Sequence, residues 1–357
     1  MPSTPSTTTS DHSPPFFGIV VVASLVVAAA GLKTVSSIVG PVFLVLTLAI
    51  TVHPFRTWMR RHRVPAALST IAALISVYLL LLVVLGSVVW SLTRLATALL
   101  DYQGEFTQLY TAVLDRASQL GLSRGMLENA VSSVQLSNFA GVAQTLLNGV
   151  TSGLSLLALM LATVAFVVVD GAGFAKRLSA LRAYRPHVAA AFDEFATSVR
   201  QYWIVTTIFG LIVAILDTAA LAVIGVPLAL TWGLLAFVTN YIPNIGFLLG
   251  LVPPTLIALL DSGWGSAVVV LIVYVALNVV IQGLVQPRFT GDAVGITGTV
   301  AFLSLIFWAF LLGALGALLA VPATLFVKLL LVDHAPAGRW LGAIVNSKVP
   351  DPDAADG

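Results

Sequence analysis

The stretch AALSTIAALISVYLLLLVVLGSVVWSL, residues 66–92, contains no Asp, Glu, Lys or Arg. Crossing the hydrocarbon core takes about 20 apolar residues in a helix, and this run exceeds that length. Its apolar residues are continuous rather than alternating, which excludes a spanning strand and leaves a membrane helix.

Working outward from that run, similar blocks recur along the chain. Residues 16–32 and 35–52 precede it, and residues 150–169 and 203–224 follow. Residues 228–260 are apolar but interrupted by Asn240, Pro243, Asn244, Pro253 and Pro254. Residues 267–285 and 298–331 complete the set. The expected fold is an all-α polytopic membrane protein of about eight transmembrane helices, the sixth broken or re-entrant. In domain terms, residues 16–93 hold helices 1–3, 150–170 helix 4, and 203–332 helices 5–8.

Composition agrees. Of 357 residues, 59% are hydrophobic and 9% charged, with a mean hydropathy of +1.02. Soluble domains carry about 25% charged residues. A net charge of +2 gives no reason to expect nucleic acid as a partner. There is no cysteine, so thiol chemistry and thiolate metal sites are excluded. The five histidines, His12, His53, His62, His187 and His334, have no metal-ligand spacing, and no metal or cofactor is expected. Residues 1–15, rich in Pro, Ser and Thr, read as a disordered tail, as do the Pro- and Asp-rich residues 349–357 at the end of a C-terminal tail over 333–357.

Positive residues sort by loop. Arg56, Arg60, Arg61 and Arg63 follow the second run, and Lys176, Arg177, Arg182, Arg185 and Arg200 follow the fourth. Both regions are therefore expected on the cytoplasmic side, with residues 171–202 as basic linker helices and a cytoplasmic N-terminus. Residues 94–149 then lie outside. They carry Asp101, Glu105, Asp115, Arg116, Arg124 and Glu128 among apolar residues at helical spacing, and read as an extracytoplasmic insert of amphipathic helices.

Polar residues that are costly in lipid concentrate in the second half. Asp217 interrupts the fifth run, where a carboxylate costs about 2.5–3.5 kcal/mol on insertion scales. It is the candidate for proton or cation coupling, against the plainer reading of an inert, hydrogen-bonded acid. In FVTNYIPNIGFLLGLVPP (237–254), Pro243 breaks the helix, while Gly246 and Gly250 admit a close backbone and Pro253 adds a second interruption. Unwound backbone at membrane depth survives where protein or a cavity satisfies it, so Asn240, Tyr241 and Asn244 are candidate solute contacts. Tyr274, Asn278, Gln282 and Gln286 recur every fourth residue and run into Pro287 and Arg288, a polar stripe suited to a solute pathway or to interhelical bonding. Ala309, Gly313 and Ala317 form a small-residue face that reads as packing. No Walker loop, GxSxG or HExxH is present, so the chain is not expected to be an enzyme.

The runs VIGVPLAL (223–230), NYIPNIGFLLGLVPP (240–254), NVVIQGLVQPRFTG (278–291) and LLGALGALLAVP (311–322) resemble the autoinducer-2 exporter (AI-2E) family. VVVDG (167–171) and the Tyr202–Trp203 approach to the fifth run fit it as well. The resemblance implies a multi-pass permease of the bacterial inner membrane, a homo-oligomer, and export of a small signal of the autoinducer-2 type. It marks Pro243, Gly246, Pro287 and Gly291 as signature turns. The leading expectation is a secondary exporter of a small polar or amphipathic solute, with the lipid bilayer and that solute as partners. A cation/proton antiporter using Asp217 and a non-transporting membrane scaffold are the alternatives.

Overall fold

The computed structural model describes residues 14–119, 136–243, 245–286 and 296–329. Among the candidate residues, Asn244, Pro287, Arg288 and Gly291 lie outside the described residues, together with residues 1–13, 120–135 and 330–357.

Helices make up nearly all of what is described, as lipid demands: with no water to satisfy backbone groups, the chain must satisfy them internally. In chain order they are α1 (Pro14–Thr34), α2 (Ser36–Arg61), α3 (Ala66–Asp101), α4 (Gln103–Gln119), α5 (Leu136–Tyr184) and α6 (Pro186–Ile224). There follow α7 (Ala229–Thr239), α8 (Gly246–Ser262), α9 (Trp264–Asn278), α10 (Gly298–Leu312), α11 (Ala314–Leu318) and α12 (Ala320–Lys328). A π-helix, Val279–Val285, prolongs α9. Five segments are long and apolar enough to cross a membrane: Ser36–Arg61, Ala66–Asp101, Gln144–Gly171, Pro186–Ile224 and Trp264–Val285. Shorter apolar helices are Ala23–Thr34, α7, α8 and α10. The protein is thus an all-α polytopic membrane protein.

The basic stretch 171–202 is not a set of separate linker helices. α5 continues unbroken to Tyr184, and α6 starts at Pro186, where proline suits the first helical turn. At 49 residues α5 is about 73 Å long, more than twice the thickness of a hydrocarbon core, so it projects beyond the bilayer. An Arg182–Asp193 ion pair joins the two helices beside their corner. In the expected insert, α3 runs on to Asp101 and α4 follows at once.

The sixth apolar run does not cross; it folds back as a hairpin. α6 ends at Gly225, whose φ of +89° favours glycine, and the Trp232 indole donates to the Pro227 carbonyl at 2.8 Å, steering the chain into α7. α7 and α8 then lie against each other so closely that a Cβ on Gly246 would sit 1.8 Å from the Thr239 carbonyl oxygen. Ala258, near the end of α8, shares a cluster with Leu221 and Val226 at the end of α6 and with Ala98 of α3. The Tyr102 hydroxyl, just past α3, donates to Asp261 at 3.1 Å. Both ends of the hairpin therefore meet the same ends of α3 and α6.

The eighth run, expected as one helix over 298–331, is also a hairpin. Gly313 has φ +67° and stops α10; a Cβ on Gly316 would meet the Trp308 carbonyl oxygen at 1.8 Å. The Trp308 indole donates to Thr324 Oγ1 at 2.9 Å, sixteen residues on, which only a reversed chain allows. The small residues at Gly313 and Gly316 thus serve a turn and the close pair behind it, not the face of a continuous helix. Phe326 of α12 packs edge-on to Phe195 with centroids 5.4 Å apart, so this second hairpin is rooted at the Pro186 end of α6. The first is rooted at the Ile224 end, and its tip residue Ile242 packs beside Leu305, Trp308 and Ala320 of the second.

Candidate solute site at the tip of the first hairpin

α6 supplies the wall of the site, and its sequence is cut to fit a neighbour. A Cβ on Gly210 would lie 2.8 Å from Asn240 Nδ2, so only glycine there admits the hairpin tip. Further along, a Cβ on Gly233 of α7 would meet Thr218 Oγ1 at 1.8 Å and the Ala214 carbonyl at 2.9 Å. Between these two contacts stands Asp217, with no exposed surface. Neither of its carboxyl oxygens has a hydrogen-bond partner among the described residues. That is a costly arrangement for an acid in apolar surroundings.

The tip is pinned from both sides. Tyr202 donates its hydroxyl to the Tyr241 carbonyl at 3.0 Å, and the Tyr241 hydroxyl lies 2.9 Å from Thr207 Oγ1. The Tyr241 ring is fully buried against Trp203 and Phe237. Asn240 donates to the Thr206 carbonyl at 3.1 Å and accepts from Gln282 Nε2 at 2.8 Å. The same Gln282 nitrogen donates to Asn278 Oδ1 at 2.7 Å, and Asn278 Nδ2 donates to the Tyr274 carbonyl at 2.9 Å. The amides thereby form a chain from α9 to the hairpin tip.

This chain begins where α9 changes to π-helix, immediately after Asn278. Hydrogen bonds that skip five residues widen the turn, and such insertions concentrate at functional sites. The wider turn keeps residues four apart closer to one line than an α-helix would, which is how the stripe holds together.

A small cavity, with room for about one water, opens among these groups. Asp217, Asn240, Tyr274, Asn278 and Gln282 are among the residues that line it, as are Thr239, Phe247 and Gly250. No Lys, Arg or His is among the lining residues. The Tyr274 hydroxyl is, like the Asp217 carboxyl, buried without a hydrogen-bond partner among the described residues. The cavity is too small for an organic solute.

The structure brings together six of the residues singled out from sequence, Gly250 among them, and separates others. Tyr241 lines no part of the cavity; it anchors the tip. Gly246 and Gly250 are where the hairpin helices touch, with Gly250 closest to Thr239 and Ala236, and Pro253 lies inside α8. Gln286, the C-cap of the π-helix, is not among the lining residues. Thr239, Phe247, Gly210 and the Thr206 carbonyl escaped the sequence reading. The Gly210–Ala214 spacing on the face that leads to Asp217 was the signal available for Gly210.

The chain as a whole is similar to known proteins. A family model described as AI-2E family transporter matches residues 21–334. The AI-2 transport protein TqsA of Escherichia coli (strain K12) is 32% identical over 337 residues, covering 92% of this chain and 95% of TqsA. YhhT of the same strain, provisionally named a transport protein, is 27% identical over 308 residues, covering 86% and 88%. A provisionally named transport protein of Haemophilus influenzae is 29% identical over 329 residues, covering 89% and 93%.

Proposed function

As this chain belongs to the AI-2E family of transporters, we propose that it exports a small, polar, uncharged or amphipathic solute across the bacterial plasma membrane by secondary transport. An autoinducer-2-like signal is the first solute to test, because TqsA is named for AI-2 transport. The observation that carries this reading is the cavity at the hairpin tip. Its amides and hydroxyl can donate and accept hydrogen bonds, and no cationic side chain lines it to hold an anion. Asn240, Asn278 and Gln282 bind the solute, and Tyr274 and Thr239 complete the lining. Opening requires the tip to withdraw, which breaks the Gln282–Asn240 bond and exposes both amides to the solute. Burying an unmet amide disfavours the open state until a solute replaces the lost partner.

The arginines in and just after the last turns of α2 and α5 favour a cytoplasmic Pro186 end of α6, and a cytoplasmic N-terminus with it. The first hairpin then enters from outside and the second from inside, so the site has a gate on each side, as alternating access requires. A homo-oligomer is part of this proposal by family resemblance.

Counterflow of autoinducer-2 in proteoliposomes tests it. Uptake by the wild type and its loss in Asn278→Ala support the reading; equal counterflow in that variant and in empty liposomes overturns it. A second reading, cation/proton antiport, is favoured by the Asp217 carboxyl in the same cavity, which has no hydrogen-bond partner among the described residues. An internal pH dye with an imposed sodium gradient separates the two. Proton movement that responds to sodium and vanishes in Asp217→Asn makes the protein an antiporter.

A further inference from the structure

α9 changes character at Asn278. Up to there it is held: Ala267, Val270, Tyr274 and Asn278 are buried, and Val270 and Tyr274 share a cluster with Leu221 of α6 and Ile257 of α8. Of the π-helix residues Ile281 alone is buried, against Phe209 and Val213 of α6, while Val279, Val280 and Leu284 are exposed. The tip of the first hairpin is tied to α6 by three hydrogen bonds: Tyr202 to the Tyr241 carbonyl, Tyr241 with Thr207, and Asn240 to the Thr206 carbonyl. The tip therefore moves with α6. Its parting from Gln282 is a movement of the π-helix.

A π-turn holds about one residue more than an α-turn, because its hydrogen bonds skip five residues instead of four. Rewound as α, the residues past Asn278 advance around the axis, by up to about one place at the far end. The side chains are suited to that exchange. Val280 turns toward the place of Ile281 and keeps an aliphatic group against Phe209 and Val213. Ile281 reaches the place of Gln282, opposite Asn240. Gln282 reaches the place of Gly283, where a Cβ would meet nothing within 4 Å. The apolar contact survives, the amide finds room, and Asn240 Oδ1 loses the donor that met it.

We propose that the π-helix Val279–Val285 is the moving gate of the cavity. Wound as π it sets Gln282 on Asn240; rewound as α it withdraws that amide, puts Ile281 in its place and frees Asn240 for the solute. The hairpin tip is the fixed side of this gate, and the buried part of α9 before Val279 is its mounting. The proposal rests on the reading of this cavity as the transport site.

Disulfide trapping of the full chain in membranes, with no solute added, tests the gate. The chain has no cysteine, so an introduced pair reports on itself alone. Asn240→Cys is combined in turn with Gln282→Cys, Ile281→Cys and Leu284→Cys, oxidised with copper phenanthroline and followed by loss of maleimide labelling. The Gln282→Cys pair is expected to close at once, the Ile281→Cys pair more slowly but to completion, and the Leu284→Cys pair to stay open. An Ile281→Cys pair that stays open while the Gln282→Cys pair closes shows a fixed π-helix and overturns the gate. So does a Leu284→Cys pair that closes as fast as the Ile281→Cys pair, or a Gln282→Cys pair that never closes. Trapping as expected without autoinducer-2 counterflow supports the gate and overturns the solute alone. If the Asn240→Cys chains do not fold, hydrogen exchange of the wild type decides: faster exchange of amides 280–286 than of 267–278 supports the gate, and equal protection overturns it.

Discussion

Gln282 Nε2 donates to Asn240 Oδ1 at 2.8 Å, and this bond ties the π-turn of α9 to the tip of the first hairpin. It links residues 42 apart in sequence. The same nitrogen bonds Asn278, so a single side chain closes the cavity and orders its lining.

Replacing Gln282 with Met keeps its length and removes both bonds. The expected cost is about 0.6–2 kcal/mol for interhelical bonds of this kind. Transport should fall by more than tenfold, since the closed state loses its latch. Thermal unfolding and solute flux on the same preparation check both parts; full activity in Gln282→Met would show that the bond is packing only.

Three glycine-to-alanine changes separate close contact from simple helix propensity. Gly246→Ala and Gly316→Ala each place a Cβ 1.8 Å from a carbonyl oxygen of the facing hairpin segment. Forced separation of packed elements costs about 1–3 kcal/mol. Gly265→Ala meets nothing within 4 Å and should be neutral or slightly stabilising. Unfolding midpoints for the three variants give the comparison.

Asp217→Asn removes an ionisable group whose carboxyl has no hydrogen-bond partner among the described residues. Loss of a charge-bearing group from apolar surroundings is expected to leave stability unchanged or raise it. A clear fall in the unfolding midpoint would mean that the carboxyl has a partner in the working protein, such as a bound cation, and would favour antiport.

The Tyr102–Asp261 bond holds the far end of the first hairpin to α3. Burial, and then the bond to Asp261, raises the Tyr102 hydroxyl above its ordinary range. A raised value means stability that is complete below pH of about 10 and lost as pH climbs through the folded-state value. Tyr102→Phe should therefore cost about 0.5 kcal/mol at neutral pH, the low end expected for an exposed bond, and weaken the alkaline loss. Midpoints measured from pH 7 to 11 check the sign.

Spans, helix class and the broken sixth region were legible in the sequence because they follow from local composition. A long apolar run has one solution in lipid, and a proline at a fixed position breaks a helix wherever it is placed. The four-residue stripe through Tyr274, Asn278 and Gln282 was legible for the same reason, and so was the anomaly of Asp217. Whether a break kinks a span or reverses it is another matter. Pro243 and Gly313 both interrupt apolar helices, and in both the chain turns back because glycines 246, 250 and 316 fit facing backbone atoms that no local pattern displays. Nor does sequence say where a tyrosine goes: Tyr241 and Tyr274 look alike along the chain, yet one anchors the hairpin tip and the other lines the cavity. Local composition determined that this chain lives in a membrane and which residues are expensive there. Only tertiary packing decided that two hairpins meet from opposite ends of α6 and that Asp217 shares a cavity with three amides, because those contacts join residues tens of positions apart.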